Sequence, residues 1–118
     1  MASQGAPELF LREEKSKMIR YLLTEVVALG KEKEDKAYRE KVQPILERYG
    51  LTETVWRVDG RRQGQILVDF GEYESREAAE AKIAQVDSDA EWVALQEERG
   101  RLGTIVPGTG EFWVLTDY

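Results

Sequence analysis

The hydrophobic period of the chain changes along its length, and the order of those changes confines the fold more than any other feature. Residues 18–29 read Met-Ile-Arg-Tyr-Leu-Leu-Thr-Glu-Val-Val-Ala-Leu and stop at Gly30. A run so rich in β-branched and aromatic side chains predicts a largely buried strand. From residue 31 to 49 the period lengthens: Tyr38, Val42, Ile45, Leu46 and Tyr49 recur at spacings of three and four, with charged residues between them. That is the stripe of an amphipathic helix, and Gly50 supplies its stop. Pro44 lacks a donor and crowds the carbonyl of Glu40, which predicts a kink or a restart of the helix.

Residues 51–58 and 65–73 read as two strands joined by Asp59-Gly60-Arg61-Arg62-Gln63-Gly64, whose Asp-Gly pair and closing glycine predict an antiparallel hairpin. Ser75 is placed to cap a short helix with Ala79, Ile83 and Val86 on its apolar stripe, and Asp87-Ser88-Asp89 interrupts it. Ser88 followed by Glu91 is a capping-box pattern, so a second helix carrying Trp92, Leu95 and Leu102 runs to about Gly100. Residues 104–106 and 112–118 form a last strand, broken at Pro107-Gly108-Thr109-Gly110 by a bulge or loop. The Gly-Thr-Gly piece lacks the Lys and Ser or Thr of a phosphate loop and opens no helix. It reads as a turn at the mouth of a cavity.

The resulting order, βαββααβ, is that of a ferredoxin-like α+β fold, with helices on one side of a four-stranded antiparallel sheet. The chain has 118 residues, the size of one domain; that domain is assigned to residues 18–118. Residues 1–17 show little patterning and predict a flexible N-terminal arm or an expression-derived extension. The uncovered sheet face would leave apolar side chains in water. At roughly 25 cal/mol per Å2 that cost is large beside a typical stability of about 5–15 kcal/mol, so the sheet predicts a homodimer.

Composition removes whole classes of chemistry. The chain has no cysteine and no histidine, which excludes disulfides, thiol nucleophiles, the usual zinc ligands and Ser-His or Cys-His catalysis. Seventeen basic residues are interleaved with 23 acidic ones for a net charge of −6, which argues against a nucleic-acid partner; Arg61 and Arg62 are the solvated tip of a hairpin. The longest apolar stretches are strand-length, and residues 1–17 are too short in apolar content for a signal peptide. No membrane partner and a cytoplasmic location are therefore expected.

Three phrases of this sequence resemble a known superfamily. They are Val42-Gln43-Pro44-Ile45-Leu46-Glu47-Arg48-Tyr49-Gly50, Val68-Asp69-Phe70-Gly71-Glu72-Tyr73-Glu74-Ser75-Arg76-Glu77-Ala78-Ala79 and Asp87-Ser88-Asp89-Ala90-Glu91-Trp92. Together they look like the dimeric α/β barrel superfamily and, within it, NIPSNAP-like proteins, over nearly all of residues 18–118. The resemblance implies homodimers whose sheets pack face to face. It also implies functions ranging from cofactor-free monooxygenases and isomerases to haem-degrading and dye-decolourising enzymes. The histidine of the haem-binding relatives has no counterpart here, so no cofactor is expected.

Strand alternation supplies the candidate site. Tyr21, Leu23, Glu25 and Val27 share a face of the first strand, Glu53, Val55 and Arg57 one of the second, Leu67 and Asp69 one of the third, and Trp113 and Leu115 one of the fourth. The opposite face of the later strands, with Ile66, Val68, Phe70, Phe112 and Val114, is purely apolar and is assigned to the helices. The mixed faces are assigned together to the barrel interior. Glu25, Asp69 and Arg57 are then the candidate catalytic groups: a carboxylate takes a proton from an acidic C–H or phenol while the guanidinium steadies the anion. Tyr21, Trp113 and Trp56 are the candidate substrate-binding aromatics, with Trp92 in the core.

The reading that follows is an enzyme of monooxygenase, isomerase or cyclase type, without a cofactor, acting on a small apolar molecule. A non-catalytic small-molecule-binding or assembly module is the alternative, and there the same charges form a structural network. A one-residue slip of register would exchange the two faces.

Overall fold

The computed structural model describes residues 18–60 and 62–118; the expectation of an arm over residues 1–17 lies outside them. The described elements run β1 (Ile19–Val26), α1 (Glu32–Arg48), β2 (Thr54–Arg57), β3 (Gln65–Tyr73), α2 (Arg76–Asp87), α3 (Ala90–Leu102) and β4 (Glu111–Leu115). The order βαββααβ is thus the one the hydrophobic periods define. The four strands form one antiparallel sheet in the order β2-β3-β1-β4. This is the ferredoxin-like α+β arrangement. No helix of the described residues is long and apolar enough to cross a membrane.

Local chemistry sets the boundaries. Ser75 caps α2 by accepting from the Ala78 amide. The cap of α3 is Asp89, one residue later than the Ser88 capping box expected: its carboxylate accepts from the amides of Glu91 and Trp92. Ser88 instead closes α2, its hydroxyl donating to the Ala84 carbonyl. A carboxylate holds a helix N-terminus more strongly than a hydroxyl, since charge adds to the hydrogen bond. Helix α1 continues through Pro44 as one element, so no restart occurs there. At its end the Leu51 amide returns to the Leu46 carbonyl across Gly50. The last strand begins only at Glu111; before it, Ile105 makes a single bridge to Val27.

Antiparallel partners lie on one face, so the register sorts the side chains of all four strands. Tyr21 faces Val114, Leu23 faces both Val68 and Phe112, and Glu25 faces Ile66. Val55 and Arg57 join them opposite Val68 and Ile66. This face carries the helices: Ile19, Tyr21 and Tyr73 pack with Tyr38, Val42 and Leu46 of α1, and Ala79 and Val86 of α2 complete the same core. On the helix-free face lie Arg20, Leu22 and Thr24 beside Leu115, Trp113 and Glu111, and beside them Asp69 and Leu67 with Thr54 and Trp56.

The assignment of Ile66, Val68, Phe70 and Val114 to the helix side is therefore correct, whereas Tyr21, Glu25 and Arg57 do not share a face with Asp69 and Trp113. The register of β3 is also interrupted once. Between the pairs Arg20–Glu72 and Leu22–Asp69 the register shifts, so that β3 carries one residue more than β1. Gly71 sits in this bulge at φ +93°, a conformation that side chains with a Cβ rarely adopt.

Leu46 is 3% exposed in the centre of the core. Leu46→Ala should lower stability by about 2–5 kcal/mol, read as a fall in the urea midpoint at unchanged slope; a loss below about 0.5 kcal/mol would contradict this account of the core.

Candidate functional site

Helix α1 does not lie flat on the whole sheet. Beyond Tyr38 and Val42 its first turns stand away from the edge strand β2, and the gap is a cavity of about 830 Å3. Val27, Val55, Ile66 and Val106 make its apolar walls, and Asp35 and Arg39 of α1 reach it from the helix side. The loop after α3 forms one end. It is fastened to β1 by the Val106 amide on the Val26 carbonyl and by Thr109, whose hydroxyl accepts from the Val26 amide and donates to the Val106 carbonyl. The Pro107–Gly110 segment is thus a turn pinned beside the cavity. At the hairpin end, Gly64 approaches β1 so closely that a Cβ there would stand 2.5 Å from the Val27 carbonyl oxygen.

Asp35 and Arg39 belong to a buried cluster of five charges. Arg39 donates from Nε to Asp35 at 2.9 Å, from Nη1 to Glu53 at 3.1 Å and from Nη2 to Glu25 at 2.9 Å. Arg99 of α3 adds bonds to Glu25 at 2.6 Å and to Asp35 at 3.5 Å. Its guanidinium also lies 4.5 Å from the centre of the Tyr38 ring, a cation–π contact. The Arg39 side chain is 12% exposed and those of Glu25 and Asp35 are 6% exposed. Three carboxylates thus meet two guanidiniums, and the cluster carries one negative charge too many unless it holds a proton.

Burial pushes the Glu53 carboxyl above its ordinary value, a rise that the adjacent Arg39 guanidinium opposes without cancelling. Burial also works against the charge on Arg39, but Asp35 and Glu53 outweigh it and hold the guanidinium protonated. The Tyr38 hydroxyl is raised by burial too; it accepts from the Gln96 amide at 2.6 Å. The Nε of Arg99 is buried without an acceptor among the described residues. No group of three or more metal-binding side chains occurs among the described residues, since a guanidinium already occupies the space between these carboxylates.

The candidates named from sequence are divided by this geometry. Glu25 lies in the cluster, on the helix side. Arg57 stands at the cavity mouth, paired with Glu32. Tyr21 is a core residue, edge-on to Tyr73 with ring centroids 5.9 Å apart. Asp69 lies on the opposite face of the sheet, ion-paired with Arg20 at 2.6 Å, so it does not meet Glu25 or Arg57. Trp113 is on that same helix-free face and donates to Thr24 at 3.2 Å. Trp56 is there as well, 58% exposed; Trp92 packs against the core as expected.

Asp35, Arg39 and Arg99 escaped the sequence reading because charges on helices pass for solvated ones. A signal was nevertheless present. Asp35, Tyr38 and Val42 follow at three and four, as do Trp92, Leu95 and Arg99, so Asp35 and Arg99 occupy positions of the apolar stripe.

No protein-family model matches the sequence, and no curated protein does either. Solved structures match in shape. A NIPSNAP domain protein from Burkholderia xenovorans superposes with a TM-score of 0.71 at 17% identity, covering 85% of this chain and 94% of that one. A NIPSNAP family protein from Agrobacterium tumefaciens gives a TM-score of 0.70 at 19% identity over 83% and 90% of the two chains. A candidate antibiotic biosynthesis monooxygenase from Bordetella bronchiseptica gives 0.61 at 15% identity over 86% and 98%. The chain thus shares the ferredoxin-like fold of these NIPSNAP domain proteins.

The raised Glu53 carboxyl has a signed consequence. Its folded-state value lies above its unfolded one, so the folded chain keeps a proton that the unfolded chain releases. The penalty for ionising Glu53 in place is absent below about pH 4.5, its ordinary value, and stability falls as pH rises through the folded value. Glu53→Gln should flatten that part of the stability profile, followed by urea midpoints against pH. Identical slopes in the two proteins would contradict the assignment.

Proposed function

We propose that the protein is a homodimeric small-molecule enzyme that works by proton transfer with its own side chains. Its site is the cavity between α1 and the β2–β3 edge, and its substrate is a largely apolar organic molecule with an acidic C–H or O–H. A cavity of about 830 Å3 lies within the range of roughly 300–1,000 Å3 usual for small-molecule sites. One observation carries the reading: Asp35 and Arg39 both reach this cavity from a half-dry cluster with one carboxylate in surplus.

Asp35 accepts Arg99 only at 3.5 Å through Oδ1, which leaves that oxygen able to take a proton from a bound molecule. Arg39 uses one N–H on each of its three nitrogens, and its Nη1 and Nη2 each keep another for the anion that develops. The transfer leaves the charge of the site unchanged, since the proton neutralises Asp35 as the substrate becomes negative. A site built in this way favours the transition state over a preformed anion. Isomerisation, or an oxygenation that begins with removal of a proton, fits this chemistry, and the fold shared with a candidate monooxygenase is consistent with it.

The helix-free sheet face supports the dimer. Trp56, Trp113 and Leu115 on it are 58%, 44% and 47% exposed, with Leu22 and Leu67 between them. A second copy of the same face covers such a surface by symmetry. Arg20, Asp69 and Glu72, joined at 2.6 and 2.7 Å, would enter the interface already paired.

Two measurements test the proposal. In heavy water, the protein should exchange the acidic C–H of a bound ketone or phenol-type probe, and Asp35→Asn should slow this by about 100-fold or more while the melting temperature stays close to that of the parent. Probes that bind but exchange no faster with the parent than in buffer would leave a binding module and rule out the enzyme, and equal catalysed exchange in both proteins would rule out Asp35 as the base. In sedimentation the parent chain should be a dimer and Trp113→Lys a folded monomer; a parent chain that is monomeric at micromolar concentration would contradict the dimer.

A further inference from the structure

The charges of the cavity are arranged in depth, and this bears on which molecule it takes and which way round. At the floor, Asp35 and Arg39 are 6% and 12% exposed, and the five-membered cluster they belong to sets three carboxylates against two guanidiniums. At the mouth the balance reverses. Glu32, Lys36, Glu40, Arg57 and Arg62 line the entrance, three cations against two anions, and Lys36 and Arg57 both pair with the single carboxylate of Glu32. The side chains of Lys36 and Arg57 are 71% and 63% exposed, so both can turn toward an arriving group.

An anion driven to the floor would add to the surplus of Glu25, Asp35 and Glu53. The same anion held at the mouth would meet net positive charge in water. Between the two ends, Val27, Val55, Ile66 and Val106 offer only apolar wall. We infer that the substrate is an amphiphilic organic acid that enters proton-donating end first, with its phenol, enol or acidic C–H on Asp35 and its carboxylate left at the mouth beside Lys36, Arg57 and Arg62. The inference rests on the cavity being the substrate site and adds the substrate's class and orientation.

Three small probes separate the two claims by titration calorimetry: para-hydroxyphenylpropionate, phenylpropionate and para-propylphenol. The hydroxy acid should bind tightest, with each of the others weaker by about tenfold, the value of one lost polar anchor of about 1.4 kcal/mol. Arg57→Gln should weaken the hydroxy acid toward the phenol and leave the phenol unchanged. Asp35→Asn, which keeps the shape of the floor, should weaken both hydroxylated probes and leave phenylpropionate unchanged.

If the phenol binds as well as the hydroxy acid, or Arg57→Gln affects neither, the orientation is wrong while the cavity remains the site. If phenylpropionate matches the hydroxy acid in both the parent and Asp35→Asn, the donor end is not read at the floor and the inference fails. If none of the three binds at millimolar concentration, the cavity is not the site and the inference falls with the proposed function.

Discussion

Arg39 is inserted among three carboxylates drawn from three parts of the chain: Glu25 from β1, Asp35 from its own helix, and Glu53 from the segment that leads into β2. Arg99 brings a fourth part, α3, to the same point. Taking these ions out of water costs several kcal/mol each, which only close pairing and hydrogen bonding offset. The cluster therefore fixes how α1 and α3 sit on the sheet in a way that apolar contacts alone, which tolerate sliding, would not. The apolar core on the other side of Tyr38 supplies the bulk of the burial. The cluster decides where that core ends and the cavity begins.

Placing charge there has a chemical consequence. With three carboxylates and two guanidiniums the formal charges do not cancel, and burial raises the Glu53 carboxyl. A purely structural network of this size would be expected to balance its charges and satisfy its donors. This one leaves Arg99 Nε without an acceptor among the described residues and turns Asp35 and Arg39 toward an open, apolar-walled space. Carboxyls perturbed in this way are enriched at functional sites.

The sequence made the elements legible and left the site obscure, for separable reasons. Period and punctuation identified every described helix and strand, because Gly30, Gly50, Asp59-Gly60 and Ser75 act locally. The faces were another matter. Alternation within a strand is local, so grouping Tyr21 with Glu25, or Asp69 with Leu67, was correct. Which group of one strand shares a face with which group of the next depends on pairing register, and no local rule states that Leu22 lies opposite Asp69 and Trp113. Choosing the more mixed group of each strand for the same surface failed because β1 and β2 hold charged residues on their helix-facing side. Those charges, Glu25 and Glu53, have partners on α1 and α3 that the sequence shows only as Asp35 and Arg99 interrupting two apolar stripes. A charge at an apolar-stripe position deserves to be read as half of a buried pair.

The central claim is that burial in the cluster around Arg39 raises the Glu53 carboxyl above its ordinary value. Infrared spectroscopy of the intact chain reads this directly, because a neutral carboxylic acid and a carboxylate absorb at different frequencies. In a pH titration the account predicts a neutral-carboxyl band, absent in Glu53→Gln, that persists to higher pH than the bands of the exposed glutamates. A spectrum without that band, or a band that persists in the variant, would contradict it.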